Sequence, residues 1–249
     1  MKRLLLFSLN KVFVGALFLL IVLNIIGAVS EDALFLQSTK PLFIPVFLIF
    51  FFINNKFNNI PFILFFLYSF LGDSSSMFFS NEIFLKASSI MYFLSYLCLL
   101  SFIIPKFKFE EFNKIIAIYL TIVLLINMFF LYVVYGVLKS IIPDSLELFL
   151  FGIKSISLIV LVIIAFGVYL NSESRQTILF LIMTLCFMFS DLLNYISQYY
   201  VYHWSFLMLD RILHILGLFY LFNFIIEYNK SYKKEEIKED KLPANNILA

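Results

Sequence analysis

The chain has 249 residues, 63% of them hydrophobic and 14% charged, with a net charge of +2 and a mean hydropathy of +1.00. A soluble domain must wet its surface and carries roughly 25% charged residues, so this composition excludes one. The near-balanced charge, with most Lys and Arg in short connections or the C-terminal tail, argues against nucleic acid as a partner. The expected class is all-α, a polytopic integral membrane helical bundle, because a helix crossing about 30 Å of hydrocarbon needs roughly 20 apolar residues and such stretches follow one another almost without a gap.

In chain order, Lys2 and Arg3 precede a long apolar run in which Ala28-Val29-Ser30 has the look of a cleavage site. The run from 12 to 29 is longer than a secretory signal core and similar segments follow it, so it reads as a first span. Splitting at charge, Asn and Pro clusters predicts eight transmembrane spans, at 11–30, 41–54, 60–79, 84–104, 115–138, 147–170, 177–199 and 205–227. Residues 1–228 then form one eight-span transmembrane domain, and 229–249, with its Lys-Lys-Glu-Glu-Ile-Lys-Glu-Asp-Lys run, reads as a polar, disordered cytoplasmic tail. With eight spans, Lys2, Arg3, Lys11, Lys56, Lys106, Lys108, Lys114, Arg175 and the tail lysines share one side. The positive-inside rule makes that side cytoplasmic, placing both termini there, in a bacterial-type plasma membrane. Glu31, Asp32, Glu82, Asp144 and Glu147 fall on the opposite side, with Lys40, Lys86 and Lys139 as the cations near them. The two cysteines, Cys98 and Cys186, lie inside apolar runs, where a thiol acts as a small hydrophobe.

Ionisable groups within spans cost a few kcal/mol or more each and are functional candidates by default. Asp73 lies about 13 residues into the third span, and Asp191 about 14 into the seventh, both roughly 20 Å from the inner end. The two carboxylates are therefore expected level with each other in the outer half of the bilayer. Lys40, Lys86, Lys154, Asp210, Arg211 and His214 enter from the same side, which implies an outward-opening polar cavity or a bonded network at that depth. Spacings of three and four put Asp191 on one face with Asn194, Tyr195 and Gln198, and Asp210 with His214 and Gly217; span four adds Ser88, Tyr92, Ser95 and Tyr96.

Two carboxylates at one depth in a poor dielectric repel, so one of them keeps a proton and can serve as a general acid. In the competing reading each aspartate pairs with Lys40, Lys154 or Arg211 and only holds the bundle together. Asp210, beside Arg211, reads as a structural ion pair. Asp210 and His214 stand at i and i+4 but make an incomplete metal shell, and His203 falls outside the span, so no metal and no cofactor is expected. Tyr199, Tyr200, Tyr202 and Trp204 read as an interfacial aromatic belt.

The pattern of Lys40-Pro41 opening span two, Leu71-Gly72-Asp73 late in span three and Phe189-Ser190-Asp191 in span seven resembles the YhhN family of eight-span membrane proteins, which includes the lysoplasmalogenases. The resemblance covers nearly the whole membrane region in span order and rests on these three short motifs. It implies hydrolysis of the vinyl ether bond of a lysoplasmalogen, with the family's lysine and two aspartates falling on Lys40, Asp73 and Asp191. The chain departs from the family's pattern in two places: Phe93 stands three residues before Tyr96 where a His is common, and a Tyr early in span six is missing, with Lys154 in that region.

The leading expectation is a hydrolase of a lysolipid substrate within membrane lipids, with Asp73 and Asp191 as acid and water-orienting base. Lys40 is expected at the substrate phosphate, Asn194, Ser74 and Tyr96 at its glycerol or the water, and Asp210, His214 and Lys154 in support. The alternatives are a non-catalytic lipid-binding or proton-coupled transport protein and, last, a helical scaffold for another membrane protein. The oligomeric state stays open.

Overall fold

The structure, a computed structural model, describes the backbone of residues 2–30, 35, 38–54, 59–78, 82–107, 114–172, 174–200 and 203–239, and the side chains of these apart from 2–13, 28, 50–54 and 232–239. Among the described residues there are eight α-helices and no strand: α1 Lys2–Val29, α2 Phe43–Asn54, α3 Ile60–Ser76, α4 Glu82–Ile103, α5 Lys114–Ile141, α6 Ser145–Ser172, α7 Arg175–Tyr199 and α8 Trp204–Glu239. Hydrocarbon offers backbone amides no partner, so a segment inside it must pair them all within itself, and the helix does so.

Helix starts and stops follow local chemistry. Pro41 sits in a 3-10 turn at Lys40–Leu42 that leads into α2. Pro61 opens the first turn of α3, where a missing N–H costs nothing. Pro105 turns the end of α4 into a second 3-10 turn at Ile104–Lys106. A capping box between Ser174 and Thr177 starts α7. The Asp144 carboxylate accepts the Leu146 N–H at 2.8 Å between α5 and α6.

Five helical stretches are long and apolar enough to cross a membrane: Glu82–Lys106, Lys114–Ile141, Ser145–Ser172, Arg175–Tyr199 and Trp204–Ser231. The chain is thus a multi-pass membrane protein. Three further apolar helices are described, α1 with 28 residues and the shorter α2 and α3 with 12 and 17. α8 continues to Glu239, so residues 229–239 are helical where the sequence reading places a disordered tail; the apolar span runs straight into a Lys/Glu-rich stretch with no Gly or Pro to stop it. Residues 240–249 lie outside the described residues, as do Glu31, Asp32, Lys56, Lys108, Tyr202 and the side chains of Lys2, Arg3 and Lys11.

Two antiparallel hairpins carry the most extensive contacts, α3 with α4 and α7 with α8, and α6 bridges them by packing on both α4 and α7. α1 and α2 lean on α8. α5 packs on α6 alone to any extent, and only 6% of its apolar window is buried, so it is the peripheral helix. Phe47, Phe62, Phe65, Phe66, Phe180 and Phe224 are fully buried at the centre. Lipid is as apolar as these rings, so their contribution is van der Waals packing, which depends on how closely the backbones approach. Gly217 sets that approach between α7 and α8: a Cβ there would stand 2.6 Å from the Phe187 ring.

Candidate functional site

A cavity of about 390 Å³ opens at one end of the bundle, where α3 and α7 finish and α4, α6 and α8 begin. Its wall includes Lys40, Tyr92, Lys154, Asn194 and Arg211.

Lys40 arrives from the 3-10 turn before α2. The preceding residue holds that turn against α1, because the Thr39 hydroxyl donates to Asn24 Oδ1 at 3.1 Å and the Asn24 amide donates to the Leu20 carbonyl at 2.9 Å. Lys40 Nζ is 3.6 Å from Asp73 Oδ1, an ion pair beyond hydrogen-bond range. Asp73 has no exposed surface. Its Oδ1 accepts a short hydrogen bond from the Tyr92 hydroxyl of α4. Among the described residues its Oδ2 has no hydrogen-bond partner, and it faces His214 Nε2, likewise without one, at 4.0 Å.

The α3–α4 hairpin that makes this contact depends on Gly72. A Cβ at that position would lie 3.3 Å from the Tyr92 ring, and the Gly72 carbonyl accepts the Ser88 hydroxyl at 2.9 Å. The residue before the aspartate thus makes room for the tyrosine that binds it.

Asp191 has a separate cation. Its Oδ1 is 2.6 Å from Lys154 Nζ, which also lies 4.6 Å from the centre of the Tyr195 ring. Both lysines approach the Tyr92 ring, Lys40 Nζ at 5.3 Å and Lys154 Nζ at 5.6 Å from its centre. Cations over ring faces gain more in such dry surroundings than in water.

Asp210 accepts the Ser190 hydroxyl at 2.5 Å on Oδ1, while Oδ2 has no partner. Arg211 is 3% exposed, and among the described residues its Nε and Nη1 have no hydrogen-bond partner. At the mouth, Tyr199 Oη donates to Glu147 Oε1 at 2.5 Å. Among the described residues no cluster of three His, Cys, Asp or Glu could hold a metal ion.

Of the residues singled out from the sequence, Lys40, Ser88, Tyr92, Lys154, Asn194, Tyr195, Gln198 and Arg211 reach the cavity wall. Asp73, Asp210 and His214 are buried off that wall, and Asp191, half-buried, is not on it either. Tyr96 is buried in the apolar core, and Ser74 is half-buried away from the cavity.

Two sequence expectations are corrected. Asp73 and Asp191 are not placed as a repelling pair; as in the competing reading, each stands beside a lysine of its own. Asp210 and Arg211 are not an ion pair, because adjacent residues on a helix point to different faces; one bonds Ser190 of α7 and the other reaches the cavity. Tyr92, on the sequence a member of a polar stripe, is the direct partner of Asp73, and the glycine ahead of that aspartate was the available signal. Nothing in the sequence marked Glu147 and Tyr199, 52 residues apart, as bonded. No family model, curated protein or solved structure matches the chain.

Proposed function

We propose that the chain is a membrane hydrolase that draws a single-chain ether lipid into the cavity and cleaves its vinyl ether bond, as a divergent relative of the YhhN family. Eight crossings with both termini cytoplasmic belong to the same reading. The observation that carries it is Asp73: a fully buried carboxyl, hydrogen-bonded by Tyr92 on one oxygen and unpartnered on the other, directly behind a polar cavity.

Vinyl ethers hydrolyse by protonation on carbon, which calls for a carboxylic acid kept out of water. Asp73 Oδ2 carries the proton in this scheme. It passes to the carbon remote from the ether oxygen, leaving an oxocarbenium ion. Water adds to the cationic carbon, with Asp191 taking its proton, and the hemiacetal collapses to a fatty aldehyde and a glycerophospho-alcohol. One water is consumed and no redox partner is needed. The proton that Asp191 takes from the water equals the one Asp73 gave to carbon, and its return to Asp73 closes the cycle.

The test is aldehyde release from a lysoplasmalogen by purified protein. The expected outcome is activity in the wild type and a loss of about 100-fold or more in Asp73→Asn, the low end of a general acid's contribution. A folded wild type that leaves the substrate intact sinks the proposal. The 2.6 Å Lys154–Asp191 pair favours a second reading, a non-catalytic lipid-binding protein, because a carboxylate so tightly held is a poor base. Binding without turnover would select it.

A further inference from the structure

Inside its mouth the cavity is layered by sign. Glu147 stands at the mouth, bonded by Tyr199, and Lys40, Lys154 and Arg211 also stand on the wall, whereas Asp73, Asp191 and Asp210 do not reach it. A ligand in the cavity therefore meets three cations before any of the three aspartates.

The cations are not equivalent. Lys40 is paired with Asp73 and Lys154 with Asp191. Arg211 has no carboxylate within ion-pair distance among the described residues, and two of its nitrogens are buried without a hydrogen-bond partner. An unpaired buried guanidinium is costly unless an anion completes it. Its planar fork of N–H donors matches the oxygens of a phosphate, which a lysine meets only as a point charge.

We propose that Arg211 is the anchor of an anion site that takes the phosphate of the lipid head group, with Lys40 and Lys154 as flanking charges already committed to their aspartates. This assigns the phosphate to a residue other than the one the sequence suggests, Lys40. It rests on the cavity receiving a lipid head group but not on cleavage, so it stands or falls separately from the hydrolase reading.

The experiment measures binding by the purified full-length protein in a neutral detergent, using a saturated-ether lysophospholipid that no vinyl ether hydrolase can cleave. The comparison ligands are the matching alkylglycerol, which lacks phosphate, and inorganic phosphate as competitor. The wild type is expected to bind the phospholipid at least tenfold more tightly than the alkylglycerol. Arg211→Gln is expected to remove that preference while binding the alkylglycerol as before, and Arg211→Lys to keep part of it. Competition by millimolar phosphate would identify the anion alone as sufficient. Preference for the phospholipid without such competition would identify a site that needs the lipid attached. A wild type that does not distinguish the two lipids, or an Arg211→Gln protein that retains the full preference, overturns the assignment. If Arg211→Gln does not fold, the wild-type preference and its reduction in Arg211→Lys decide.

Discussion

The Lys154–Asp191 pair is the clearest case of one side chain being tolerable only because of another. Lys154 is 4% exposed and Asp191 14%, so removing either partner leaves the other's charge nearly dry. Breaking a buried pair from one side costs about 3–5 kcal/mol, whereas replacing both partners with apolar residues of similar size is often near neutral. Lys154→Met is therefore expected to lower unfolding stability by about 3 kcal/mol, and Lys154→Met with Asp191→Leu to recover most of it. Denaturant titrations in a mild detergent measure both. A double variant as unstable as the single would show that the pair's surroundings, and not its charge, set the stability.

At the scale of elements, helix contacts are decided by the smallest residues and by the links between helix ends. Gly217→Val would drive a Cβ and its two methyl groups into Phe187 and push α7 from α8, at an overpacking cost of about 1–3 kcal/mol. Phe187→Leu in the same chain is expected to restore part of it, and thermal unfolding of the three variants reads the result. The link between α5 and α6 has a pH dependence of known sign. The Lys86 ammonium beside Asp144, and then the Leu146 N–H, hold the Asp144 carboxyl below the usual carboxylate range. A lowered folded value contributes stability that is present above the unfolded value near 3.9 and lost as pH falls through the folded one. Stability is thus expected to decline below about pH 4 in the wild type and less so in Asp144→Asn.

The elements themselves were legible, since eight apolar stretches between Asn, Pro and charge clusters correspond to eight described helices. Their partners were legible only as alternatives, Lys40, Lys154 or Arg211 for either aspartate. Hydropathy gives the depth of Asp73 and Asp191 but not their rotation about the helix axes, and rotation sent each to its own lysine. The same gap hid Tyr92 and Arg211, whose roles depend on which face of α4 and α8 turns inward.

The whole molecule places its site where its helices are short. α3 has 17 residues, and the 3-10 turn with α2 has 15, giving rods of about 25 Å against a hydrocarbon core of about 30 Å. α4, α6, α7 and α8 have 22, 28, 25 and 36 residues and rise past them. Irregular backbone at membrane depth is tolerated where it lines a polar cavity, and the short pair brings Lys40 and Ser76 to that cavity's wall. If α1, α2 and α3 all cross, the last two despite their length, there are eight crossings, an even number, and both termini share a side. If one of the three folds back, the parity changes and the termini separate. Reporter fusions at both ends should both report cytoplasm. A cysteine at Ser145, in a chain with Cys98 and Cys186 replaced by alanine, should label from outside intact cells with an impermeant maleimide, because Ser145 begins α6 at the cavity end. Termini on opposite sides would remove one of these three helices from the membrane and, where it is α2 or α3, the physical basis for Lys40 and Asp73 meeting at this depth.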